Sequence, residues 1–280
     1  MTTLTLAPPS GLTGRLRWGL RDSFTIAGRS YRQLWAQPGE LLGFLLFPVL
    51  FTVLFGYVFG SAIQLPGGGD YRQFLMPGIY TQIMAMTATL AAQKVAEDMH
   101  RGIIDRFRSL PIARSAVLLG RTISDFSGHM LSLACMSACG VLIAGWRPLN
   151  GFGSAVLAYG LLILLGFAMM WLGTLIGLSV KSPSTADAAT FGWIFPMTFL
   201  ANTFVPTQGM PSWLRVIADW NPVSATVAAT RHLFGGPAVG ATGSSWPLQH
   251  PVIASIGWSV LILAVFMPLA VRRYRTATTR

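Results

Sequence analysis

The chain alternates between long stretches free of charged side chains and short segments that carry most of its charge. Leu41–Gly69 is charge-free and holds the first stretch of membrane-spanning length, Leu41 to about Ala62. Gln73–Gln93 and Phe126–Trp146 give the second and third, and Pro148–Val180 the fourth with slack at either end. Ala188–Leu214 holds the fifth, ending near Val205, and Pro251–Val271 is the sixth. A bilayer core about 30 Å thick is crossed by roughly 20 helical residues. Backbone groups in lipid must be satisfied internally, and these runs lack the alternation of barrel strands, so each is predicted to be a helix. The expectation is an all-α integral membrane protein with six transmembrane helices in residues 41–271.

The segments around the spans are patterned as well. Within residues 1–40, Leu20, Phe24, Ala27, Tyr31 and Leu34 recur at steps of four, three, four and three, with Arg21, Arg29 and Arg32 to one side. That pattern predicts an amphipathic helix along the membrane interface, ended by Pro38-Gly39. In residues 94–125, Val95, Met99, Ile103 and Phe107 are spaced by four, as are Glu97, Arg101 and Asp105. One face is apolar and the other a chain of opposite-sign neighbours, either a surface for docking onto another protein or an ordinary helical hairpin at the membrane surface. Gly102 weakens that helix by about 1 kcal/mol relative to alanine, which suits close packing, and Leu110-Pro111 ends it. In residues 206–250, Trp213, Ile217 and Trp220 share a helical face, Asn221-Pro222 breaks the run, and Ala225–Phe234 reads as a second short helix. Tryptophans there suit a membrane interface, and the region either gates an exit or anchors the loop.

Composition excludes a soluble globule. Of 280 residues 52% are hydrophobic and only 10% charged, against about 25% charged in an average soluble chain. The formal net charge of +11 would suggest nucleic acid in a soluble protein. In a membrane protein it reflects cytoplasmic loops, so no nucleic-acid partner is expected. Sixteen of the 20 Lys and Arg fall in the N-terminal segment, residues 94–125, Lys181 and the tail 272–280; only Arg72, Arg147, Arg215 and Arg231 fall on the other side. Both termini are therefore predicted to be cytoplasmic.

Chemistry of the chain's own is not expected. A phosphate-binding loop needs Gly-Lys-Ser/Thr, and neither of the two lysines, Lys94 and Lys181, can complete one. His100, His129, His232 and His250 are scattered, with no metal-ligand spacing. Cys135 and Cys139 sit in an apolar run as small hydrophobes. No Asp, Glu, Lys or Arg lies inside a predicted span, whereas a proton- or ion-coupled carrier keeps one at membrane depth. No catalytic residue and no metal site is predicted, and the energy is expected from another chain.

One stretch carries more than its periodicity. Glu97-Asp98, then Arg101-Gly102-Ile103-Ile104-Asp105-Arg106-Phe107-Arg108-Ser109-Leu110-Pro111, resembles the cytoplasmic loop of ABC-2-type exporter permeases, above all the daunorubicin/doxorubicin resistance permeases (DrrB type). Further blocks agree in order: Phe47-Pro48 with Phe55 to Gly60, Phe74 to Gly78, Phe195 to Phe199, Phe204-Val205-Pro206, Met210 to Leu214 and Asn221-Pro222. The resemblance runs from about Tyr31 to Arg275. It implies the type-2 ABC exporter fold, with two outer re-entrant helices between spans five and six. It implies a dimer with a second permease copy or paralogue, and two copies of a separate ABC ATPase that bind the ATP and Mg. It also places a coupling helix within about Glu97–Arg108, making Glu97, Asp98, Arg101, Gly102, Ile103, Asp105, Arg106, Arg108 and Pro111 the ATPase-coupling candidates. Spans one, two and five then line the translocation path, with Phe51, Phe55, Gln82, Phe195 and Asn202 as candidates and Trp213, Ile217 and Trp220 as the outer gate. Pro48 and Pro196 interrupt helices where bending could matter.

The expected protein is an efflux permease of the bacterial plasma membrane. It would move hydrophobic or amphiphilic compounds outward, whether drug-like polyketides, lipids or lipid-linked glycans. The rival readings are a membrane scaffold or enzyme subunit without transport, and a carrier not driven by ATP.

Overall fold

The computed structural model describes residues 46, 49–59, 65, 68–101, 114–204, 207–236 and 245–277, those at 59, 114–125, 127, 208 and 275–277 by backbone alone. The predicted interfacial helix, most of the first span, Pro48, Val205, Pro206 and the coupling candidates from Gly102 to Pro111 lie outside the described residues. No strand occurs among those described.

Among the described residues nine helices follow in order, with a 3-10 turn at Thr207–Gly209. α1 (Val49–Val58) is apolar, and over Leu54–Phe59 it widens into π-helix. α2 (Tyr71–His100), α3 (Arg114–Leu142), α4 (Gly151–Gly177) and α5 (Pro183–Leu200) are the long helices expected as spans two to five. Three short pieces, α6 (Ser212–Asp219), α7 (Pro222–Phe234) and α8 (Trp246–Gln249), precede α9 (Pro251–Ala277). Among the described residues α2, α4 and α9 are long and apolar enough to cross a membrane.

The boundaries differ from the charge-free stretches in an instructive way. α2 continues from the second span through Lys94 to His100, and α3 begins at Arg114. Much of what read as a loop over 94–125 therefore extends the spanning helices. Charge limits how far a helix can lie in lipid, and it does not stop the helix: no Gly or Pro interrupts 94–100. α5 likewise starts at Pro183, with Ser182 accepting a hydrogen bond from the Thr185 N–H as N-cap. Asp187 is thus inside a helix that the charge count began one residue later.

α2 is the central element, packed against α1, α3, α4, α5 and α7. Its closest neighbour is α4, and the contact is made by small residues. A Cβ on Gly173 would collide with the Ala88 backbone, and one on Gly177 would lie 2.5 Å from the Ala92 carbonyl oxygen. The Thr87 hydroxyl donates to the Gly166 carbonyl across the same seam, at 2.9 Å. Helices in lipid gain little from hydrophobic exclusion, so close backbone approach and such hydrogen bonds hold them together. α9 packs on α4 and α7 with one side and exposes Ile253, Val260 and Leu261 with the other, as a lipid-facing helix does.

At one end of the bundle an aromatic core joins α2, the α3–α4 connection, α4 and α7. The Trp146 ring stands edge-on to Tyr80 and to Phe234 at 5.3 and 4.9 Å, and Tyr159 meets Phe234 at 5.3 Å. Edge-to-face pairs of this kind add about 0.5–1.5 kcal/mol each beyond burial.

Candidate functional site

At the end of α2 that carries Glu97, the structure describes three of the coupling candidates. Arg101 pairs with Glu97 at 2.5 Å, both side chains open to solvent, while Asp98 is buried. Gly102, Ile103, Asp105, Arg106, Arg108 and Pro111 lie beyond the described residues. The apolar face predicted for docking is already used in part. Val95 is buried with Trp171, Leu178, Ala270 and Tyr274, and Met99 packs against that cluster. The greasy stripe over Val95 and Met99 therefore seals α2 against α4 and α9. What this end leaves open on α2 is its polar side, Lys94, His100 and Arg101. Close by, the Gln93 amide donates to the Asp187 carboxylate at 2.6 Å, tying α2 to the start of α5.

The opposite end of α2 is a hub. Asp70 caps the helix by accepting from the Arg72 N–H. Arg72 reaches back to α1: its Nε donates to the Gly56 carbonyl at 3.2 Å, and its guanidinium lies 4.3 Å from the Tyr57 ring centroid. Tyr71 donates through its hydroxyl to the Phe204 carbonyl at 3.1 Å. Gly78 lets the turn after α5 sit directly on α2, since a Cβ there would be 2.5 Å from the Thr203 carbonyl oxygen.

α7 completes this end. Asn221 accepts from the Val223 N–H at 2.9 Å as N-cap, and its amide donates to the Met197 carbonyl of α5 at 2.7 Å. Gly235 closes the helix in the left-handed conformation at φ +74°. Leu149 and Asn150 then donate to the last carbonyls of α7, those of Phe234 and His232. Inside this frame Arg231 is only 4% exposed. Its Nε donates to the Phe74 carbonyl at 2.8 Å and an Nη to the Thr203 carbonyl at 2.9 Å, with the guanidinium 3.5 Å from the Phe74 ring centroid. Burial pulls its pKa down to about 9, so it stays a cation at neutral pH.

Between the two ends a chain of phenylalanine rings links α5 to α1. Phe191, Phe195 and Phe199 follow one another at 5.1 and 4.2 Å, and Phe199 meets Phe204 at 5.2 Å. Phe204 then meets Phe55 at 4.6 Å, and Phe55 meets Phe51 at 4.6 Å. Three of the path candidates, Phe51, Phe55 and Phe195, belong to this chain, and Phe195 is 39% exposed. Gln82 and Asn202 are buried, with the Asn202 backbone N–H donating to the Ser224 hydroxyl at 3.3 Å. On α6, Trp213, Ile217 and Trp220 share an open face, at 66%, 53% and 53% exposure.

Sequence reasoning missed the arginine joints and most of the ring chain. Phe191, Phe195 and Phe199 recur every four residues, a stripe that was legible. An arginine inside the apolar stretch Ala225–Phe234 was a signal too, since a buried cation needs partners. Its partners, two backbone carbonyls, leave no trace in a sequence.

Small-residue seams, lipid-facing flanks and polar joints at the helix ends define a polytopic helical membrane protein. Residues 22–234 match the family described as ABC-2 type transporter. The chain is 32% identical over 238 residues to the daunorubicin resistance ABC transporter permease protein DrrB1 of Streptomyces coeruleorubidus, covering 85% of this chain and 80% of that one. It is 24% identical to the putative transport permease ycf38 of Cyanophora paradoxa, over 88% and 85% of the two chains. It is 25% identical to the probable doxorubicin resistance ABC transporter permease protein DrrC of Mycobacterium tuberculosis, over 72% of each. The chain belongs to the ABC-2 type transporter family, as a permease homologous to drug-resistance permeases.

Proposed function

We propose that this permease is the membrane half of an ATP-driven exporter that moves hydrophobic or amphiphilic compounds, drug-like molecules above all, out across a bacterial plasma membrane. Two copies, or this chain and a paralogue, form the passage, and two copies of a separate ABC ATPase bind ATP and Mg and dock on the coupling loop, residues 94–125. Six spans place both termini in the cytoplasm, with α6 and α7 as the outer re-entrant pair. The names of the drug-resistance relatives support the substrate class. The single observation that carries the mechanism is the continuity of α2. One helix of 30 residues holds the open Glu97–Arg101 pair at one end and the joints to α1, α5 and α7 at the other. At 1.5 Å per residue it spans about 45 Å, so a push from an ATPase on its cytoplasmic end reaches the exit through one helix, with Pro77 near the far end as the point where it can bend.

The test is ATP-dependent accumulation of a fluorescent anthracycline in inside-out vesicles that contain the chain and its co-expressed ATPase. Charge reversal at Asp105 with Arg106, or Ile103→Pro, is expected to leave insertion intact and to uncouple ATP hydrolysis from transport. Accumulation that needs no ATPase, or that a proton uncoupler abolishes while ATP is present, would overturn the reading.

A further inference from the structure

The turn after α5 is held against α2 by three contacts. Gly78 seats the Thr203 carbonyl, Tyr71 binds the Phe204 carbonyl, and Arg231 bridges Thr203 and Phe74 from α7. The third is the unusual one. Arg231 is the one buried Lys or Arg among the described residues, and burying a charge is costly unless every donor finds a partner. Here one terminal nitrogen has none. A neutral side chain could fill the same volume without that cost, so packing alone does not account for a guanidinium at this place.

Its bonds are unequal. Phe74 offers both its carbonyl and its ring, so the guanidinium is held twice on α2, while Thr203 offers a single carbonyl. The far end of α7 is fixed as well, through Gly235 and the bonds from Leu149 and Asn150. Separation of the α5 turn from α2 that leaves α7 in place therefore breaks the Thr203 bond, together with the Tyr71 bond to Phe204. The guanidinium then stays on α2, and its unpartnered nitrogen has a donor to offer water or another acceptor.

We infer that Arg231 is the clasp of the exit: a positioning residue that holds the turn after α5 closed against α2 and releases the Thr203 carbonyl when the passage opens. This rests on the export reading only for which face is called the exit. The charge-assisted fork sets how often the turn opens at rest, and the Tyr71 hydroxyl is the weaker second tie.

Opening can be read at Thr203 itself, which is fully buried and whose part in the clasp is its backbone. In a Cys135→Ala, Cys139→Ala background, Thr203→Cys is exposed to a water-soluble maleimide in membranes open on both sides. Labelling is expected to be slow with Arg231 present and at least tenfold faster in Arg231→Met. In Arg231→Lys, which keeps the charge and one bond, it is expected to fall nearer to the parent. Vanadate trapping of the ATPase complex is expected to speed labelling in the parent chain. Ala254→Cys, buried in α9, reports general loosening. Equal labelling of Thr203→Cys with Arg and Met at position 231 would overturn the clasp, as would equal acceleration at Ala254→Cys. If Arg231→Met does not reach the membrane, Tyr71→Phe replaces it and is expected to accelerate labelling several-fold, with no acceleration overturning the proposal. Trp213→Cys, on the open face of α6, separates the two readings. In intact cells it is expected to react from outside, and failure there sinks the orientation while leaving the result at Thr203 to stand.

Discussion

The α2–α4 seam makes a quantitative prediction in which two glycines of one helix are compared. Gly173 has no room for a methyl group, because the Ala88 backbone occupies it, whereas Gly160 has nothing within 4 Å of its would-be Cβ. Gly→Ala in a helix interior contributes about 1 kcal/mol of helix propensity at either place. The difference between Gly173→Ala and Gly160→Ala therefore removes that common gain and leaves the cost of forcing the two helices apart. Backbone atoms cannot rotate aside as a side chain can, so α4 has to shift bodily. Overpacking of this sort costs about 1–3 kcal/mol, and the Thr87 bond to the Gly166 carbonyl stretches with it, adding about 0.5–1.5 kcal/mol if it is lost. Gly160→Ala is expected to be neutral to slightly stabilising, and Gly173→Ala to fall about 1–4 kcal/mol below it. The assay is reversible unfolding of the purified permease in mixed micelles by a denaturing detergent, followed by tryptophan fluorescence. Stabilities of the two variants within about 0.5 kcal/mol of each other, below the smallest overpacking cost, would refute the reasoning.

Three further outcomes follow from the same contacts. Asn221→Ala removes the N-cap of α7 and the bond to the Met197 carbonyl, and is expected to cost about 1–2 kcal/mol, read as earlier proteolysis between α5 and α7. Glu97→Ala breaks an exposed pair, so unfolding is expected to change by less than about 1 kcal/mol while transport per ATP hydrolysed falls. Trp213→Phe with Trp220→Phe is expected to leave stability unchanged, because both rings are open. It is also expected to lower quenching by lipids brominated near the headgroup, and undiminished quenching would place α6 away from the interface.

The helices were legible because lipid imposes a single rule: a span is apolar and its backbone is satisfied within itself. Pro251 began the sixth span and Asn221-Pro222 parted α6 from α7, as punctuation residues do. The ends were less legible where no such residue stood. Lys94 and Glu97 read as the start of a loop, yet nothing there breaks a helix, and α2 runs on to His100. The stripe Val95 and Met99 was visible, but a periodicity says that a face is apolar without saying what covers it. Tyr274 and Trp171 cover it from more than 70 residues away. At the Asp70 end of α2 the aromatic and glycine positions stand in recognisable blocks of sequence, whereas the arginine joints depend on carbonyls of Gly56, Phe74 and Thr203, which every residue type possesses equally.

The glycine seam lies off-centre on α2, and that has a mechanical meaning. Ala88 and Ala92, where α4 touches it most closely, are nearer to Glu97 than to Phe74. If α2 tilts about their midpoint, the arm toward Glu97 is about 10 Å long and the arm toward Phe74 about 24 Å. The helix is then a lever with its fulcrum near the driven end. It magnifies a small displacement roughly twofold at the far end and delivers correspondingly less force there. A gate worked by such a lever has to be held by contacts few enough for that reduced force to part, and the two hydrogen bonds from Arg231 and Tyr71 to the turn after α5 are few.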